Sequence, residues 1–236
     1  MTLNNALVKA FDYVIRVGED VPPDIWSKAI RAGVFKAEAS DLAAINAEYH
    51  DGISEALLEY LEGGGSVAAP KNMFKRATLT AFGDAFDLGW IDGGGELPIE
   101  GAALEWIEAR IQQEFGFIEM VFQQAKELRG SEDFDPLAWA SERADGYVRT
   151  VGDIYSHAKL MAAGNKMLTF AGKDGKPDNI CQSTNGTCVK LKGKRHKASW
   201  WIAHGLVPYR GNPNYDCGAW ECSHGLYDDE GNRFAL

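Results

Sequence analysis

All four cysteines of this 236-residue chain, Cys181, Cys188, Cys217 and Cys222, lie in its last quarter, and the first 180 residues contain none. The charge changes close to the same place. From Lys173 to Leu236 there are nine Lys/Arg and seven Asp/Glu, a net of +2, whereas the preceding residues carry 15 and 27, a net of −12. Two independent compositional changes at one point predict a domain boundary near residue 172. The tail is rich in turns (Gly172, Gly175, Asn185-Gly186, Gly193, Gly211-Asn212-Pro213, Gly231-Asn232) and offers only short candidate strands. A segment so poor in periodic apolar residues needs a staple to stay folded, and the cysteines are the residues able to supply one.

The part before the break reads as helices. Leu3, Leu7, Phe11 and Val14 recur at helical spacing, and Pro22-Pro23 opens a short helix with Ile25, Trp26, Ala29 and Ile30. Ser40 is placed to cap a helix carrying Leu42, Ile45, Tyr49, Ile53, Ala56, Leu57 and Leu61, which ends at Gly63-Gly64-Gly65. Another is expected from about Asn72 to Gly89, followed by the loop Asp92-Gly93-Gly94-Gly95. Leu104, Ile107, Ile111, Phe115, Ile118, Phe122 and Ala125 form a continuous stripe, the clearest helix in the chain. Asp135-Pro136 sets an N-cap and first-turn proline for a last long helix carrying Leu137, Ala140, Ala144, Tyr147, Val151, Ile154 and Ala158. The expected fold is mainly α: an acidic multi-helix domain over 1–172, then a small, loop-rich, cysteine-clipped module with short β strands over 173–236.

Several function classes drop out. No apolar run approaches the ~20 residues that a bilayer span requires, so no membrane partner is expected, and no basic region with an apolar block marks a secretory signal. A net charge of −10 argues against a surface that grips nucleic acid throughout. No Glu-x-x-His pair, phosphate-binding glycine loop or Gly-x-Ser-x-Gly elbow occurs. Because all four cysteines belong to the expected clip, none is spare as a nucleophile, and no enzymatic activity is expected.

Cys181-x6-Cys188 and Cys217-x4-Cys222, with His224 two residues on, are two short-range pairs joined across a long loop. Thiolates and imidazole in that arrangement build a structural zinc site, and such a site supplies roughly 10–16 kcal/mol of apparent binding energy to a small module. Two disulfides, or buried thiols, are the alternatives; the missing secretory signal weighs against disulfides. The segment Lys190 to Lys197 has six basic residues in eight, with Lys190, Lys192, Lys194, Arg195 and Lys197 as candidate contacts to DNA phosphates or an acidic partner, or as a solvated hairpin turn. Trp200-Trp201 beside it would complete a base-stacking platform if both rings were exposed. His204 and His196 read as packing or surface residues.

The tail also resembles the cysteine-rich module of the minor head (head morphogenesis) proteins of tailed phages. The resemblance is carried by the pair Cys181 and Cys188, the turn Leu191-Lys192-Gly193, a tryptophan (Trp200 or Trp201), Gly205-Leu206-Val207-Pro208, and the closing Cys217-Gly218-Ala219-Trp220-Glu221-Cys222-Ser223-His224. The chain departs from the pattern in the six-residue spacing of its first pair and in His224, which stands where the family has a final cysteine. The resemblance implies a virion structural protein, assembled in the host cytoplasm in multiple copies of a symmetric particle. It implies portal or major capsid subunits as partners and possible contact with packaged DNA. A zinc-stabilised nucleic-acid-binding or nuclease accessory protein is the competing expectation.

Overall fold

The computed structural model describes residues 21–22, 25, 28, 41–63, 65–97, 99–172, 175, 186–208, 212–216 and 224–235. The helices expected before residue 40 lie almost wholly outside the described residues. Helix makes up 66% of the described residues and strand is confined to one small sheet, so the chain is mainly α with short strands.

Four long helices come first: α1 (Leu42–Gly63), α2 (Ala68–Asp92), α3 (Ala102–Leu128) and α4 (Pro136–Ala163). Asp41, one residue after the expected cap Ser40, closes the start of α1, its Oδ1 accepting the Ala44 N–H at 2.9 Å. Helix α2 begins four residues earlier than its apolar periodicity suggests. Pro70 falls in its first turn, where a missing N–H leaves no helical bond unmade. The same helix runs through Gly89 to Asp92. Asp135 caps α4 as expected, accepting the Ala138 N–H at 3.0 Å. Leu137, expected in the core, is 64% exposed in the first turn, and the inward face of α4 begins at Ala140.

The chain divides into two compact units. The first spans Met1–Ala85 and Glu100–Val151, the second Phe86–Ile99 and Gly152–Leu236. In the first unit the α3 stripe is buried from Ile107 to Ala125, as its spacing predicts. Ile45, Tyr49, Ile53 and Leu57 of α1 and Phe74 and Phe82 of α2 are buried in the same unit. Edge-to-face ring contacts lace the helices together: Phe122 meets Tyr60 at 5.5 Å and Phe74 at 6.3 Å, and Phe74 meets Tyr147 at 5.1 Å. Among the described residues of this unit two carboxylates are buried, Asp84 and, more deeply, Glu114. Glu114 is 2% exposed and accepts from Arg110 Nη1 at 2.7 Å; burial raises its pKa, and the guanidinium partly offsets this.

The second unit is built on a four-stranded antiparallel sheet of order β2-β1-β3-β4, with β1 Met167–Ala171, β2 Arg195–Lys197, β3 Gly225–Tyr227 and β4 Arg233–Ala235. Leu168 pairs with His196 and Phe170 with Leu226, which makes β1 an interior strand. Two short helices, α5 (Thr187–Leu191) and α6 (Ala198–Ala203), pack on it. The core joins Leu160, Leu168 and Phe170 to Cys188, Trp201, Val207, Tyr215, Leu226 and Phe234. The compositional break at 172 therefore marks a change of charge inside one packing unit. The turn-rich tail gains its apolar mass from the end of α4 and from β1, which precede the break. Asn212 is fully buried and ties the loop after α6, donating to the carbonyls of Gly205 at 2.9 Å and Val207 at 2.7 Å.

Candidate functional site

The sequence assigns the chemistry of this chain to its cysteines and His224, and the fold brings two of these residues together from distant elements. Cys188, on α5, is 1% exposed within the core of the second unit. His224 immediately precedes β3, is likewise 1% exposed, and lies parallel to the Phe170 ring with centroids 5.2 Å apart. Its Nδ1 stands 3.9 Å from Cys188 Sγ, although the residues are 36 apart in sequence. Burial lowers the His224 pKa, and the nearby Arg233 charge lowers it further, so the ring is held neutral. Neutral imidazole is the form that binds metal.

Three further bonds brace the segments that carry this pair. Asp216 Oδ2 accepts the Thr187 N–H at 2.6 Å, and Thr187 Oγ1 donates to the Asn214 carbonyl at 3.1 Å. The residue before Cys217 is thus fastened to the residue before Cys188. At the other end, Arg233 Nη2 donates to the His224 carbonyl at 2.7 Å. Gly186, which precedes α5, has no room for a side chain, because an added Cβ would overlap the Asp216 carboxylate. Two ligands on a tetrahedral zinc, with Zn–S about 2.3 Å and Zn–N about 2.1 Å, stand about 3.6 Å apart. The observed sulfur–nitrogen separation is compatible with a shared ion. Among the described residues no group of three or more His, Cys, Asp or Glu could hold a metal ion; Cys181, Cys217 and Cys222 lie outside them.

The basic strip is spread over the end of α5, the turn at Gly193 and the edge strand β2. Lys190, Lys192, Lys194, Arg195 and Lys197 are all exposed. Arg195 pairs with Asp229 at 2.6 Å and Lys197 donates to Asn165 Oδ1 at 3.1 Å. The adjoining aromatics are not a stacking platform. Trp201 is fully buried, its indole N–H donating to the Leu168 carbonyl at 3.3 Å. Trp200 is half-buried between two imidazoles, with ring centroids 3.7 Å from His196 and 4.0 Å from His204, both nearly parallel to it. Two rings at those distances cannot share one face, so both faces of Trp200 are occupied. His204 is held there by its Nδ1, 2.9 Å from the Trp200 carbonyl oxygen.

Sequence reasoning missed Asp216 and Thr187, whose only signal is that each precedes a cysteine. It also missed an acidic stripe on α1 that is visible in the spacing of Glu48, Asp51, Glu55, Glu59 and Glu62. No described helix is long and apolar enough to cross a membrane. Comparison with protein-family models, curated proteins and solved structures finds no match to this chain. The class defined by the fold is a mainly α protein in which a cysteine–histidine pair is buried beneath a small antiparallel sheet.

Proposed function

We propose that this chain is a structural protein of a phage particle, of the minor head type, acting in head assembly through portal or capsid subunits, and that Cys181, Cys188, Cys217 and Cys222, with His224 replacing or supporting one of them, form a four-coordinate zinc clip that folds its C-terminal unit. The observation that carries the clip is the Cys188–His224 contact inside the core, with the segment bearing Cys217 and Cys222 fastened at both ends, at Asp216 and His224. A closed site of this kind leaves no ligand position for substrate, so its work is folding. The head-assembly role rests on the order of motifs from Cys181 to His224, and an acidic helical unit joined to a compact docking module suits a protein that binds other subunits.

Metal analysis of the reduced chain tests the clip. One equivalent of zinc is expected, and Cys217→Ser should lower it and loosen the sheet unit while far-ultraviolet helicity persists. No zinc, with no free thiols before reduction, would replace the clip by disulfides. Probing purified particles with an antibody to this chain tests the assembly role: enrichment with the capsid supports it, and absence rejects it.

A second reading, a zinc-stabilised nucleic-acid-binding or nuclease accessory protein, draws on the five exposed cations between Lys190 and Lys197. It must do without base stacking on Trp200 and Trp201, one buried and the other covered on both faces.

A further inference from the structure

Helix α1 contains five acidic residues and no Lys or Arg. Glu48, Asp51, Glu55, Glu59 and Glu62 step by threes and fours, so they form one stripe along the helix, and all five are exposed. Such a stripe costs stability, because Asp51, Glu55 and Glu59 are like charges at i,i+4 spacing. Asp51 Oδ1 lies 3.3 Å from the Nδ1 of His50. Glu48, Glu55, Glu59 and Glu62 have no ion-pair partner among the described residues. Glu48 and Glu55 also line a cleft of about 290 Å³ between α1 and α2, shared with Asp84 and Arg76.

The opposite charge is concentrated on the second unit, where Lys190, Lys192, Lys194, Arg195 and Lys197 project from α5 and the edge strand β2. Lys190 and Lys194 have no ion-pair partner among the described residues. The stripe from Glu48 to Glu62 is about 21 Å long at the helical rise. The basic strip is more compact, because it passes through the end of α5 and a tight turn, in which the Lys194 N–H donates to the Leu191 carbonyl at 2.8 Å, before it enters β2. The two surfaces match in sign.

We infer that the basic strip of one copy docks on the acidic α1 stripe of another, joining copies of this chain head to tail. DNA would satisfy the strip but would be repelled by the stripe and by a net charge of −10, whereas a second copy satisfies both surfaces at once. Because the two surfaces differ, the contact is heterologous, and its repetition gives a ring if the rotation closes or a filament if it does not. This deepens the assembly reading by naming the surfaces through which copies of the chain meet. It is testable on the purified chain, apart from whether the chain enters particles.

The test is the weight-average mass of the full-length chain in sedimentation, at about 10 mM and about 1 M ionic strength, where the screening lengths are about 30 Å and about 3 Å. The mass should rise above 25.9 kDa with concentration at low salt and return to it at high salt. Lys190→Glu/Lys194→Glu should stay monomeric at low salt, as should Glu55→Lys/Glu59→Lys. An equimolar mixture of the two variants should associate again. Glu132→Lys/Asp133→Lys makes the same charge change as the second variant at exposed positions off the stripe and should associate like the parent. Circular dichroism verifies that each variant is folded, and the milder Lys190→Gln/Lys194→Gln stands in if the reversal unfolds the chain. A parent that stays monomeric at low salt overturns the inference, as does a control that dissociates like the stripe variant. Loss of duplex-DNA retention in the lysine variant with no change in mass would assign the strip to nucleic acid instead.

Discussion

Gly89 and Gly83 lie six residues apart on α2, yet replacing each with alanine should move stability in opposite directions. A Cβ at Gly89 would sit 2.2 Å from the Tyr155 carbonyl oxygen and 3.1 Å from Ala158 Cβ, whereas a Cβ at Gly83 has nothing within 4 Å. Alanine is favoured over glycine in a helix by about 1 kcal/mol, partly because it removes freedom from the unfolded chain. Gly83→Ala should therefore gain about 0.5–1 kcal/mol. At Gly89 the same gain meets a backbone oxygen that cannot rotate away. Relieving a 2.2 Å approach requires the helix segments to separate by about 1 Å, and overpacking of this kind costs about 1–3 kcal/mol or more. Gly89→Ala should lose about 1–2 kcal/mol net, a fall in Tm of about 2–8 °C at roughly 2–4 °C per kcal/mol. Thermal melts of both variants and the parent in one buffer decide it. Equal gains would mean that α2 and α4 do not approach as closely at Gly89 as described, and the packing of Gly93 against the Lys159 carbonyl would fall with it.

Two other perturbations reach the two units separately. Ile111 is 1% exposed on α3, so Ile111→Asp puts an unpaired charge into the first unit and should cost about 3–5 kcal/mol; a variant with the parent's urea midpoint would show that the stripe faces solvent. His157 is buried on α4, and desolvation lowers its pKa to about 4. The unfolded chain, with its histidine near 6.5, then binds the proton more readily than the folded one. His157 thus contributes stability that is present above pH about 6.5 and lost as pH falls towards about 4, up to about 3 kcal/mol. His157→Gln should flatten that part of the urea-midpoint profile, and an unchanged slope between those pH values would refute the assignment.

Much of the helical architecture is set by residue order alone. The stripe from Ile107 to Ala125 fixes the buried face of α3, because only a 3.6-residue period brings those side chains to one side, and Asp135-Pro136 fixes the start of α4 through a bond to its own third residue. The cysteines and histidines likewise stand out by residue identity alone, as the side chains with distinctive chemistry. Spacing could not say which of them meet. Cys188 and His224 come together because β1 carries Phe170 under the imidazole and because Asp216 seizes the Thr187 amide, contacts across 54 and 29 residues of chain. The compositional break near 172 located a change in charge, while packing drew the unit around β1 and the end of α4, since buried apolar area is shared by whatever elements can reach it. Trp200 and Trp201 look equivalent in sequence; one fills the core and the other is sandwiched by histidines because adjacent residues on a helix point about 100° apart. Charge pattern and helical period are local properties that the sequence determines by itself. Which surfaces stay exposed, and which side chains share an interior, depends on long-range packing and belongs to the tertiary structure.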